Sequence, residues 1–208
     1  MRHRALRMCR IALLVTTMLW GGAAASAAAS AEVAADDVSL RIDEFHAVLL
    51  EVMRSGQQFE GRAATLAPVV GELFDIPTIS RISLGRSWKT LDETSQNDFS
   101  VLLEELIVAT YADRFENFSG QSFHRQSVET ARRGWVVKTE LEKSDGERVN
   151  LDYYFRGGKV FDVVADGVSD LSLRRADYNS IIKTQGYDQL LSHIQKNIAK
   201  RKVEDAED

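Results

Sequence analysis

One stretch, Gly134 to Arg175, limits the fold more than any other part of the chain. Two turn signals, Ser144-Asp145-Gly146 and Gly157-Gly158, divide it into three short runs. In the first run Trp135, Val137, Thr139 and Leu141 share one face, and Val136, Lys138, Glu140 and Glu142 the other. In the second, Val149, Leu151, Tyr153 and Phe155 oppose Arg148, Asn150, Asp152 and Tyr154. A period of two with this contrast marks a sheet with one covered face and one wet face. The sequence on its N-terminal side reads as helical, and so does most of the sequence on its C-terminal side. The expected fold is therefore α+β. A helical N-terminal half and a C-terminal helix pack on one face of a curved, mostly antiparallel, four-stranded sheet.

Parity predicts one hairpin register in full. A two-residue Asp145-Gly146 loop would set Leu141 against Asn150. A three-residue Ser144-Asp145-Gly146 loop instead pairs Leu141 with Val149, Thr139 with Leu151, Val137 with Tyr153 and Trp135 with Phe155. Every pair then matches in character, which points to a type I turn with Gly146 left-handed in a bulge. The next hairpin has two solutions. A two-residue Gly157-Gly158 loop pairs Phe155 with Val160, Tyr153 with Asp162 and Leu151 with Val164, and so puts Asp162 on the covered face. An unpaired carboxylate there is costly. A bulge would turn it outward.

The helices are read from stripes at spacings of three and four. Asp36 to Arg54 carries Ile42, Phe45, Leu49, Val52 and Met53, with Asp36 or Asp37 as its cap. Phe59 to Leu73 carries Leu66, Val69, Val70 and Leu73, with Pro68 either kinking or splitting it. Ile79 to Leu84 is short and stopped by Gly85. The longest helix starts near Asp92 and carries Phe99, Leu102, Leu103, Leu106, Ile107, Thr110, Tyr111 and Phe115. Ser122 to Val128 reads as a strand of poor alternation. A last helix or helix pair starts near Leu171, with Ile181, Ile182, Leu190, Leu191, Ile194 and Ile198, and is interrupted at Gly186. Residues 36–199 are expected to form one domain, and residues 200–208 a disordered charged tail.

Residues 1–31 read as a cleaved export signal. Arg2, Arg4, Arg7 and Arg10 precede the uncharged run Ile11 to Trp20, and Ala25-Ser26-Ala27 and Ala29-Ser30-Ala31 are both acceptable cleavage sites. Cleavage removes four arginines and no acid, so a net charge of −5 becomes more negative. That balance argues against nucleic acid as a partner. Cys9, the single cysteine, leaves with the signal, so the core holds without a disulfide.

The search for catalytic chemistry turns up little. His46, His124 and His193 stand on separate elements, and no thiolate accompanies them, so no metal site is expected. Nucleophile-elbow, phosphate-loop and dinucleotide motifs do not occur. Asp162 beside Tyr153 is one pair that could serve an isomerase-like enzyme as base and donor. A structural Tyr–Asp hydrogen bond is the simpler reading. The residues favour a binding protein over an enzyme. A scaffold that binds only other envelope proteins is a further alternative. Composition does not distinguish a packed core from one with a cavity.

Leu66-Ala67-Pro68-Val69-Val70, Phe74-Asp75-Ile76, Leu84-Gly85-x-x-Trp88, Phe99 and Tyr111 occur in that order. Val160-Phe161-Asp162-Val163, Gly167-Val168-Ser169 and Gly186-Tyr187-Asp188-x-Leu190-Leu191 come after them. This series resembles the MlaC (toluene-tolerance) family of periplasmic lipid-transport proteins, from roughly Val38 to Ile198. One departure stands out. The family's Gly-Val-Ser usually runs into a Tyr-Arg pair, whereas here Ser169 leads to Asp170-Leu171-Ser172-Leu173-Arg174-Arg175. The variant is similar to the branch associated with hopanoid biosynthesis (HpnM-like).

The resemblance implies a soluble periplasmic carrier, with phospholipid or hopanoid hydrocarbon between sheet and helices. It implies no cofactor and no catalysis. Its implied partners are an inner-membrane lipid transporter and an outer-membrane acceptor complex, met by a monomer. The expected lipid contacts are Val69, Phe74, Trp88, Leu103, Val137, Leu151, Tyr153, Val164 and Ile181. Arg174 and Arg175 are expected at the headgroup or mouth. Each of the apolar positions is equally well explained by core packing.

Overall fold

The computed structural model describes residues 22–207, with side chains from 34 to 202. The chain divides into two units, residues 1–33 and 34–208, and the second holds the fold. Most of the expected export signal lies outside the described residues.

Among the described residues, six helices and five strands run in the order α1 (Gly22–Arg54), α2 (Phe59–Leu73), α3 (Ile76–Leu84), α4 (Glu93–Arg114), β1 (Ser122–Ala131), β2 (Gly134–Glu142), β3 (Arg148–Arg156), β4 (Lys159–Ala165), β5 (Val168–Ser169), α5 (Asp170–Gln185) and α6 (Tyr187–Glu207). A short 3-10 turn, Ser87–Thr90, precedes α4. The sheet is antiparallel throughout, in the order β1-β2-β3-β4-β5, one short strand more than expected. Among the described residues no helix is long and apolar enough to cross a membrane.

The helices form where the stripes put them, with three differences. First, α1 does not begin at Asp36 or Asp37, because the helix is already running from Gly22. Alanine is the strongest helix former, and nothing in this alanine-rich run breaks it. Val38, Ile42, Phe45, Leu49 and Val52 are its buried stripe. Second, Pro68 lies inside a continuous α2. Third, the charged end continues the last helix. Helix α6 continues to Glu207, and Arg201 holds Asp113 of α4. Buried Arg62 ties α2 to the same helix, its Nε donating to the Ala112 carbonyl at 2.8 Å.

Two carboxylate caps set the corners. Asp92 accepts the Ser95 N–H at 2.7 Å and starts α4 where the sequence predicts. Asp75 accepts the Thr78 N–H at 3.1 Å, starting α3 three residues earlier than its stripe alone suggests, with Pro77 in the first turn. The Asp75 N–H also donates to the Val160 carbonyl at 2.8 Å. This contact pins the α2–α3 corner to β4 and seats Phe74 under the sheet.

The β2–β3 register is the predicted one: Leu141↔Val149, Thr139↔Leu151, Val137↔Tyr153 and Trp135↔Phe155. The Gly146 N–H closes the turn onto the Lys143 carbonyl at 3.0 Å, and Gly146 is left-handed at φ 86°. Bulges explain the two strands whose alternation failed. In β1 the register shifts between Arg125 and Ser127, so Phe123 and Val128 both pair with residues of the inward row. In β4 it shifts opposite Tyr154 and Phe155. Asp162 then pairs with Tyr154, while Val163 and Ala165 oppose Tyr153 and Leu151.

Candidate functional site

The inward row of the sheet meets the helices in two different ways. At one end the space is filled. Phe45 of α1 packs edge-on against Phe74, Tyr111 and Tyr153, with ring centroids 5.8, 5.1 and 6.4 Å away. His46 stacks on Phe123 at 3.9 Å, and its Nε2 meets the Tyr153 hydroxyl at 3.0 Å. Burial drives the His46 pKa down to about 3 and pushes the Tyr153 hydroxyl well above its ordinary value.

At the other end there is a cavity of about 470 Å³. Its floor is Leu141 of β2, Val149, Leu151 and Tyr153 of β3, and Val163 and Ala165 of β4. Phe74, Ile79, Ile107, Tyr111 and Phe115 wall it on the helical side. The lip is Val168, Asp170, Leu171, Leu173 and Arg174, with Arg114 and Lys143 also in the wall. Val168 and Leu173 are 50% and 59% exposed, so the cavity opens there. The lining is mainly apolar, with charges at the rim, the usual build of a small-molecule pocket.

The lip is held by Asp162. This carboxylate accepts the Ser169 hydroxyl at 2.7 Å and the Leu171 N–H at 3.0 Å, which caps the start of α5 from the neighbouring strand. Half-burial raises its pKa, and the two hydrogen bonds work against that rise. Ser169 in turn accepts the Ser172 N–H at 3.0 Å. One turn on, Arg174 donates to Asp170 at 2.6 Å and to the Tyr178 hydroxyl at 3.4 Å. Its side chain is only 10% exposed.

Phe74, Leu151, Tyr153 and Arg174 therefore lie in the cavity wall, as the sequence suggests. The other expected contacts do not. Val164 pairs with Ser169 and lies opposite Asp152, because the β4 bulge reverses its parity. Val137 and Leu103 are fully buried in the packed part of the core. Trp88 packs edge-on against Phe99 at 6.5 Å, in a cluster with Tyr178 and Tyr187. Ile181 is buried further along α5, and Val69 is half-buried on α2. Arg175 lies beside Gly85 rather than at the mouth; a Cβ on Gly85 would stand 3.7 Å from its Nε. Sequence reasoning missed Arg114 and Lys143, and on the lip Val168, Asp170, Leu171 and Leu173. Of the two solutions open for Asp162 the structure has the bulge, and Tyr153 is bonded to His46 instead.

An α+β domain with an apolar, charge-rimmed cavity between sheet and helices is the class of protein that this fold and site define. The family is shown by comparison. Residues 43–196 match the model of the MlaC protein family, and the chain belongs to that family. No curated protein matches it. Among solved structures it is similar to the phospholipid-binding protein from Ralstonia solanacearum, solved in complex with a phospholipid. That likeness has a TM-score of 0.67 at 20% identity and covers 81% of this chain and 98% of the other.

Proposed function

We propose that the protein is a periplasmic lipid carrier. It holds lipid hydrocarbon in the cavity and passes it between an inner-membrane transporter and an outer-membrane acceptor. The observation that carries this reading is the cavity of about 470 Å³ with apolar walls and a charged mouth. Membership of the MlaC family and the phospholipid held by the Ralstonia protein support it. Burying hydrocarbon stabilises by about 0.8 kcal/mol per methylene, so a sixteen-carbon chain would lose about 13 kcal/mol on entering water alone. A covered cavity avoids most of that loss and needs no covalent chemistry. Phe74, Leu151 and Tyr153 contact the chain, and Arg174 stands at the mouth. The export signal expected in residues 1–31 would deliver the protein to the periplasm.

Asp170, Leu171, Leu173 and Arg174 of the segment that departs from the family pattern stand at the lip, so the hopanoid that this departure suggests is the second ligand to consider. Native mass spectrometry of protein purified from its own envelope tests both. A bound mass released as phospholipid or hopanoid is expected. Protein that emerges lipid-free and takes up neither when incubated with them would overturn the carrier reading.

A further inference from the structure

We propose that the cavity mouth binds an anionic head, a phosphate or carboxylate, through the Arg114 guanidinium and the Tyr111 hydroxyl. The carrier would then select acidic amphiphiles over neutral ones. This rests on the lipid-carrier reading and adds to it the charge of the ligand.

Among the described residues, three cations stand in the cavity wall. Two are already neutralised: Lys143 pairs with Glu147 at 2.7 Å, and Arg174 with Asp170 at 2.6 Å. Arg114 has no ion pair and no side-chain hydrogen bond among the described residues. Both wall carboxylates are likewise committed, Asp170 to Arg174 and Asp162 to Ser169 and the Leu171 N–H. Among the described residues Arg114 is therefore the wall cation without an ion-pair partner, while the Asp162 charge is held at the start of α5 by its two hydrogen bonds. A cation in the last turn of α4 suits that helix end. Helix chemistry does not explain why this one stands in a cavity wall beside an unpaired donor.

That donor is Tyr111, three residues earlier on the same helix and so on the same side. Phe45, Phe74 and Phe115 enclose its ring, at 5.1, 5.8 and 5.9 Å. Its hydroxyl makes no hydrogen bond among the described residues, in a wall that is otherwise mostly apolar. Burial and then Asp170 raise its pKa, while Arg114 and Arg174 oppose the rise, and all three ionic groups share the cavity wall with it. An unsatisfied donor at an apolar wall is unfavourable. A ligand oxygen placed between Tyr111 and Arg114 would satisfy the hydroxyl and the free guanidinium together. Charge-assisted hydrogen bonds of this kind are the stronger class. The attached hydrocarbon would then run inward over Leu151 and Val163.

The test is displacement of a neutral, polarity-sensitive dye from lipid-stripped full-length protein. Palmitate, hexadecyl phosphate, hexadecanol and inorganic phosphate are compared as competitors. Palmitate and hexadecyl phosphate are expected to bind about tenfold tighter than hexadecanol. Arg114→Gln should erase that difference, and Arg114→Lys should retain part of it. Tyr111→Phe should lower acid binding by about threefold. High salt should narrow the preference, since Arg114 is exposed. Equal binding of acid and alcohol, or a preference that survives Arg114→Gln, overturns the inference and leaves the carrier reading intact. Inorganic phosphate competing as well as hexadecyl phosphate would mean a free-anion site, and overturns it too. Failure of every chain to displace the dye removes the carrier reading and this inference together.

Discussion

The inward row of the sheet has two ends that differ in bulk. Towards the Trp135–Phe155 end, Tyr153 of β3 packs against Phe45, which also meets Phe74 and Tyr111, and Tyr153 is 1% exposed. Towards Val149 and Ala165 the row on β3 and β4 carries the smaller side chains Val149, Leu151, Val163 and Ala165, and the helices do not close on it. The β2–β3 register is regular across both. What changes is side-chain volume, so one continuous face builds a packed core at one end and a cavity at the other.

Substitutions at the two ends should therefore behave differently. The largest effect is expected at the packed end. Phe45→Ala should cost about 3–5 kcal/mol in urea denaturation, because four aromatic neighbours lose a partner they cannot replace. Leu151→Ala, beside existing empty space, should cost only about 1–2 kcal/mol, below the usual range for such a truncation. Equal losses at the two sites would contradict the contrast between them.

Acid should act on the packed end. His46 is held neutral, with a pKa near 3 against 6.5 for the free side chain. Between those values the unfolded chain binds the extra proton, so the contribution of neutral His46 is complete above pH 6.5 and is lost as the pH falls. The slope is at most about 1.4 kcal/mol per pH unit, giving a loss of about 2 kcal/mol between pH 6.5 and 5. Denaturation midpoints at the two pH values, measured for the wild type and His46→Gln, should show the variant with the flatter dependence. The same dependence in both would relieve His46 of this role.

The smallest effect belongs to the corner that joins the two ends. Asp75→Ala removes the α3 cap and should cost about 1 kcal/mol. Loss of lipid loading in that variant, with little loss of stability, would show that the Phe74 corner shapes the cavity as well as the core.

How much of this could be read in the sequence depended on parity. The two runs on either side of Ser144-Asp145-Gly146 alternate cleanly, and matching their facing pairs settled the loop length, so the register was legible to the residue. Asp162 was the point where a simple hairpin failed, and the β4 bulge is the answer the structure supplies. The same bulge explains why Val164 was misplaced: a one-residue insertion exchanges the faces of everything after it. The cavity itself was not legible. A stripe such as Ile107, Thr110, Tyr111 and Phe115 has the same pattern whether it meets side chains or space. Arg114 lies next to that stripe, and only the three-dimensional wall shows that it faces the cavity.

The most direct measurement compares native mass spectra of the wild type and Ala165→Trp, both purified from the same envelope. Ala165 lies on the cavity floor, where an indole fills the space the hydrocarbon is proposed to occupy. The wild type should carry a lipid mass. The variant should fold with a similar melting temperature and carry at most about a tenth as much lipid, since an overfilled site excludes its ligand. An Ala165→Trp protein that is folded and carries the same lipid load would contradict the cavity as the binding site.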